Sequence, residues 1–149
     1  MTGVWVLVAA VVLAAALGLA MRLRDGRIRP SKAGASTSLL AELGIASSGQ
    51  AVTLVQLSTA FCQPCVASRR ILDQVVSMVE GVVHVEIDAE SHLDLVRRLG
   101  ILRTPTVLIL DREGREVKRA SGTPRKADVI AAIGPLLLGV DTSGTPWVG

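Results

Sequence analysis

Residues 51–81 read AVTLVQLSTAFCQPCVASRRILDQVVSMVEG, and the order of their patterns decides the fold. Ala51–Ser58 is an apolar run rich in β-branched residues, the pattern of a buried strand. From Cys62 to Glu80 the period changes. Ile71, Leu72, Val75, Val76 and Val79 recur at helical spacing, while Arg69, Arg70, Asp73, Gln74 and Ser77 fall mainly on the opposite face. Gly81 ends the run. A buried strand thus hands over to an amphipathic helix, and Cys62-Gln63-Pro64-Cys65 sits at the corner between them.

That corner has chemical consequences. Cys62 falls at a helix N-terminus, where unpaired backbone N–H groups and the helix dipole favour a thiolate over a thiol. Only the thiolate attacks disulfides. Cys65, one turn further in, is close enough to close a disulfide on Cys62 and expel a partner held there. Pro64 lies in the first turn, where its missing N–H costs little. Other uses of such a pair remain open at this point. Structural zinc normally needs four ligands, and the spacing of His84 and His92 does not match a finger pattern. Transient copper handling by the two thiols is a further alternative. No metal is expected. The chain has only two cysteines, so a stapled disulfide scaffold is excluded.

Outward from the corner the two periods keep alternating. Val82–Asp88 (VVHVEID) reads as a second strand. A helix follows, with Ser91 as its cap, Asp94 as capping-box partner and Gly100 as its stop. Thr106–Leu110 is a third strand, Asp111–Arg115 a hairpin and Glu116–Ala120 a fourth strand. Thr123 is expected to cap a last helix with Pro124 in its first turn, and Gly134-Pro135 to kink or end it. Strands joined through helices favour parallel pairing, and the hairpin adds an antiparallel piece. The expected class is α/β, a mixed sheet with helices on both faces.

Toward the N-terminus, Leu39–Gly44 reads as a short helix, Ser47–Gln50 as a turn and Ser31–Ser38 as a flexible linker. From Gly3 to Met21 no side chain carries a charge. As a helix this stretch spans about 28 Å, the hydrocarbon thickness of a bilayer. It reads as one transmembrane anchor contacting the lipid bilayer. A cleaved signal peptide is the alternative, with Gly18-Leu19-Ala20 as its cleavage site, but the basic segment that should precede the apolar run is missing. Arg22, Arg24, Arg27, Arg29 and Lys32 follow the run, an excess that marks the cytoplasmic side. The C-terminal part is therefore expected to face the cytoplasm, with an extracytoplasmic orientation as the alternative.

The formal net charge of +3 is local to that segment. Outside it, 11 basic and 12 acidic residues remain, so no basic face for nucleic acid is expected. The layout is an anchor over 1–21, a basic and Ser/Gly/Ala-rich linker with a short helix over 22–50, a folded domain over 51–138 and a loose tail over 139–149.

Residues 51–138 resemble the thioredoxin superfamily. The resemblance rests on the strand followed by CxPC, the VEID strand end, Gly100 followed by Thr104-Pro105-Thr106, and Gly122 after the fourth strand. It implies that Cys62 is the nucleophile and Cys65 the resolving thiol. It also implies that Pro105 is a cis-proline beside them, with Thr104 offering backbone hydrogen bonds to a substrate strand. Three positions depart from the pattern: Phe61 stands where tryptophan is usual, Gln56 where the buried aspartate is, and His84 where a lysine often faces that aspartate. A glutamine is no useful proton acceptor, so His84 is expected to take over part of the proton handling. The function so implied is thiol–disulfide exchange with disulfide- or thiol-bearing proteins through a mixed disulfide, with no cofactor beyond the redox-active cysteine pair. The alternatives are a copper-handling protein and a non-catalytic adaptor.

Overall fold

Strand β2 (Val52–Ser58) is the centre of the molecule in the computed structural model, which describes residues 2–31, 38–45 and 49–139. All seven of its residues are buried. Alternation along the strand explains how. Val52 and Leu54 enter one apolar cluster, while Val55 and Leu57 enter a second on the opposite face of the sheet. A strand covered on both faces has no polar side, which is why its sequence shows no alternation.

Around it the chain runs α1 (Thr2–Arg24), β1 (Ile28–Pro30), α2 (Leu39–Glu42), β2, α3 (Gln63–Met78), β3 (Val82–Asp88), α4 (Leu93–Arg98), β4 (Thr106–Leu110), β5 (Glu116–Ser121) and α5 (Lys126–Leu137). The strands form one mixed sheet in the order β1-β5-β4-β2-β3. On one face α3 and α5 bury Leu72, Val75, Val129 and Ile133 against Val52, Leu54, Val107 and Ile109. On the other, Leu39, Leu40 and Leu95 cover Val55, Leu57, Leu108 and Leu110. Each such side chain contributes about 1.5–3 kcal/mol relative to leaving it in water. The expected mixed sheet with helices on both faces is the observed fold.

Several local expectations change. Only β3 is parallel to β2; β4 runs antiparallel to it although a helix precedes it. The reason is length: α4, six residues, spans about 9 Å, too short to carry the chain back along a strand. The chain stays near the end where β3 finished and enters β4 from there.

Ser91 does not cap α4. Its hydroxyl bonds Asp88, and His92 occupies the cap position without a side-chain bond. Likewise Thr123 does not cap α5, which begins three residues later at Lys126. Pro135 lies inside α5 without ending it, two residues before the last. A proline so near the end removes a single ladder bond.

The stretch 22–50 contributes structure at two points. Ile28–Pro30 pairs antiparallel with β5 at the sheet edge, a strand that IRP gives no pattern to announce. Pro30 is tolerated there because an edge strand has one side unpaired. Leu39 and Leu40 of the expected short helix join the second core. Lys32, most of SKAGASTS, Ser47-Ser48 and the tail from residue 140 lie outside the described residues.

Helix α1 is long and apolar enough to cross a membrane from Gly3 to Arg24, and none of that stretch is buried against the rest of the chain.

Candidate active site

The central strand ends at Ser58, the chain turns through Thr59-Ala60-Phe61, and α3 starts behind Cys62. Cys62 is the N-cap of α3, and its Sγ accepts the Cys65 backbone N–H at 3.2 Å. The two cysteines form a disulfide with an S–S distance of 2.07 Å. Their exposure differs: Cys62 is half-buried, whereas Cys65 lies beneath it almost without solvent contact. An incoming sulfur therefore meets Cys62 first, and Cys65 is reached through Cys62.

Phe61, the only phenylalanine of the chain, stands beside them at φ +61°. This left-handed backbone is rare for a bulky residue. Its ring is fully exposed, at 103 %.

Two further loops close on the disulfide. The Thr104–Pro105 peptide bond is cis, and Thr104 Oγ1 shares a hydrogen bond of 3.2 Å with Thr59 Oγ1. The Pro105 carbonyl accepts the Gly122 N–H at 2.7 Å. Thr123 Oγ1 donates to the Pro64 carbonyl at 3.2 Å, tying the loop after β5 to the first turn of α3. A shallow recess of about 250 Å³ opens beside the proline loop, lined by Thr59, Leu93, Ile101, Leu102 and Thr104 among others.

Beneath Cys65 lies a small polar cell. Gln56 is fully buried, and its Nε2 lies 2.8 Å from Ser58 Oγ, 3.0 Å from the Cys65 carbonyl and 3.4 Å from Glu86 Oε1. Gln56 Oε1 and Ser68 Oγ are buried with no hydrogen-bond partner. Parallel pairing sets Glu86 opposite Gln56, and His84 opposite Leu54. The carboxylate that meets Gln56 is thus Glu86. Arg69 holds it in an ion pair of 2.6 Å. Hydrogen bonding by Arg69 pulls the Glu86 carboxyl below its ordinary range, against the opposing effect of burial and with help from Ser58. His84 instead bonds Asp73 of α3, Nδ1 to Oδ1, at 2.8 Å; its Nε2 is buried without a partner.

The structure therefore brings together Cys62, Cys65, Phe61, Gln63, Pro64, Gln56, Thr104 and Pro105, and sets His84 in a separate pair. Sequence reasoning missed Glu86, Ser58, Ser68, Arg69 and the Thr59–Thr104 link. One signal was available. VTLVQLS and VVHVEID are equally long, and aligning their ends at Ser58 and Asp88 sets Gln56 against Glu86. Among the described residues no three His, Cys, Asp or Glu side chains converge as metal ligands would.

A disulfide closed over the first turn of a helix, beside a cis-proline at the head of a strand, defines a site of the thiol–disulfide exchange class. The family model for thioredoxin matches residues 44–134, well over half of the chain, and the chain belongs to the thioredoxin family. Among solved structures, chloroplastic thioredoxin z is 26% identical over 66% of this chain and 90% of that chain, with a TM-score of 0.57. A mutant thioredoxin from Halobacterium salinarum is 19% identical, covering 73% and 88%, with a TM-score of 0.56. Thioredoxin f from spinach chloroplast is 21% identical, covering 63% and 84%, with a TM-score of 0.54. The last two speak for the fold alone. No curated protein sequence matches significantly.

Proposed function

We propose that the chain is a membrane-anchored thiol–disulfide oxidoreductase that exchanges its Cys62–Cys65 pair with protein partners. The observation that carries this reading is the half-buried Cys62 at the N-terminus of α3, bonded to a buried Cys65.

In the dithiol form the Cys62 thiolate attacks one sulfur of a partner disulfide. That bond breaks, the displaced partner sulfur leaves as a thiolate, and a mixed disulfide joins the two proteins. Cys65, deprotonated, then attacks Cys62 Sγ. The Cys62–Cys65 disulfide forms and the second partner sulfur leaves. Two electrons pass to the partner, and the two protons lost by the cysteines end on its thiols. A dithiol donor restores the starting state. Run backward, the same steps oxidise a partner dithiol, and the reduction potentials of the two pairs set the direction.

Thr104 and Pro105 form the edge on which an extended partner segment is held, Thr104 through its backbone. His84 is the candidate imidazole for proton handling, oriented by Asp73. Helix α1 anchors the protein in a single pass, and the excess of arginines that follows it favours a domain on the cytoplasmic side over an extracytoplasmic one.

The test is a pair of variants in the full-length protein. Cys62→Ser is expected to abolish exchange with a disulfide substrate, and Cys65→Ser to accumulate the mixed disulfide on a non-reducing gel. Exchange that survives Cys62→Ser removes the proposal. Protease accessibility of the domain in intact cells reads its orientation.

A further inference from the structure

The end of α1 and the active site are one structural unit. Two residues beyond Arg24, the Gly26 N–H donates to the Ser121 carbonyl at 2.8 Å. Gly26 fits so tightly, at φ +71°, that a Cβ there would lie 2.0 Å from the Thr123 carbonyl oxygen. Asp25 forms a 2.7 Å ion pair with Arg103, the residue before Thr104, and Arg103 also donates to the Ser121 carbonyl at 3.2 Å. The loop that receives Gly26 is the loop that holds the disulfide: Gly122 bonds Pro105, and Thr123 bonds Pro64. Only Asp25 separates the helix from the first of these contacts. The disulfide end of the domain is therefore the end nearest α1, with no length of free chain to lift it away.

The surface there suits such a position. Phe61 and Leu102, 103 % and 96 % exposed, project beside Cys62 and beside the proline loop. Leu102 borders an open groove of about 940 Å³ lined by Arg24, Arg27, Arg29, Arg98, Arg103 and Arg119 among others. Arg98, Arg103 and Arg119 pair with Glu42, Asp25 and Glu116. Arg24, Arg27 and Arg29 have no acidic partner among the described residues. Apolar tips with arginines at the end of an apolar helix match the layering of a bilayer surface, acyl chains beside anionic headgroups.

Resting on the reading of α1 as a membrane anchor, we infer that the partner is an integral membrane protein whose exchanging cysteines lie at the bilayer surface, on the side where this domain sits. The short clamp raises the effective concentration of Cys62 for sulfurs at that depth and denies it to sulfurs held further out. Exchange follows the steps above: the membrane partner's disulfide takes two electrons and two protons from the Cys62/Cys65 dithiol, which a small dithiol refills.

The test uses the full-length protein, reduced with dithiothreitol and then freed of it, in vesicles of phosphatidylcholine and phosphatidylglycerol. Two single-span substrates carry the same disulfide loop, one directly at the membrane surface and one on a helical stalk about 30 Å long, 20 residues at 1.5 Å each. A soluble disulfide protein is the third substrate. The surface disulfide is expected to be reduced about tenfold faster than the raised one. A second variant inserts twelve Gly/Ser residues between Arg24 and Asp25, a reach of about 19 Å. It should bring the two rates within about twofold and leave the soluble substrate unchanged. Equal rates on surface and raised disulfides by the parent protein overturn the inference. Failure on all three substrates, the soluble one included, instead removes the exchange function itself.

Discussion

Helix α1 and strand β2 are both read from apolar runs in the sequence, and they meet opposite fates. All seven residues of β2 are buried in protein. In α1 every side chain from Gly3 to Arg24 is exposed. A buried strand needs apolar neighbours on two faces, which α3 with α5 and α2 with α4 supply to β2. A helix apolar on all sides has no single stripe to turn inward, and packing one side on the sheet would leave its other sides in water. The comparison teaches that an apolar run reports only its avoidance of water. Length and periodicity say what can replace the water: seven residues fit the width of a sheet, whereas 23 residues make a helix of about 35 Å, long enough to cross a bilayer.

The largest effect that sharpens this contrast is a core truncation. Leu54→Ala, at a fully buried position of β2, should cost about 2–5 kcal/mol in urea unfolding of the domain. Leu13→Ala in α1 should leave that unfolding curve where it was. If Leu13→Ala destabilises the domain comparably, α1 packs on protein and the contrast fails. The converse substitution is Leu13→Arg, which should disfavour insertion by about 2.5–3.5 kcal/mol. It is read as a loss from the carbonate-resistant membrane fraction, with the disulfide still formed in what remains.

Between the two regions lies Gly26. Its positive φ and the backbone oxygen of Thr123 leave no space for a side chain, so Gly26→Ala should cost about 1–3 kcal/mol. The loss should appear first as faster amide exchange at β1 and around Gly122, while β2 stays protected. Uniform loss across the sheet would mean the junction is part of the global unit rather than a clasp.

The fold and the reactive pair were legible because their signals are local. A β-branched run, a change of period and a CxPC at the corner occupy 31 consecutive residues, 51–81. The cis bond at Pro105 was implied by the family resemblance, to which Thr104-Pro105-Thr106 before a strand contributes. What stayed hidden depends on pairing between distant segments. Nothing in Ile28-Arg29-Pro30 announces an edge strand; β5 makes it one by offering Lys118–Ala120 as partners. Thr123 looks like a helix cap by type, and only the folded chain shows its hydroxyl spent on Pro64. Aligned with the lysine of the family pattern, His84 looked like the group facing Gln56. Register gives that place to Glu86 and sets His84 against Asp73. His84→Gln checks the proton role directly. A rate–pH profile shifted from the parent's keeps His84 in the exchange, and an unchanged one removes it.

The smallest expected effect concerns Glu86, at the polar end of β2 where the apolar contrast breaks down. Arg69 lowers the Glu86 carboxyl from its ordinary value of 4.5. A carboxyl lowered on folding contributes stability above the unfolded-state value, and that contribution is lost as pH falls through the folded one. Arg69 is half-exposed, so solvent screening keeps the contribution of the pair small. At neutral pH Glu86→Gln should therefore be slightly less stable than the parent, and the gap should close as the pH drops below about 4.5. High salt at neutral pH should narrow it as well. A gap that persists unchanged at pH 3 would assign the contribution to hydrogen bonding or packing that the amide does not reproduce, and not to the charge on Glu86.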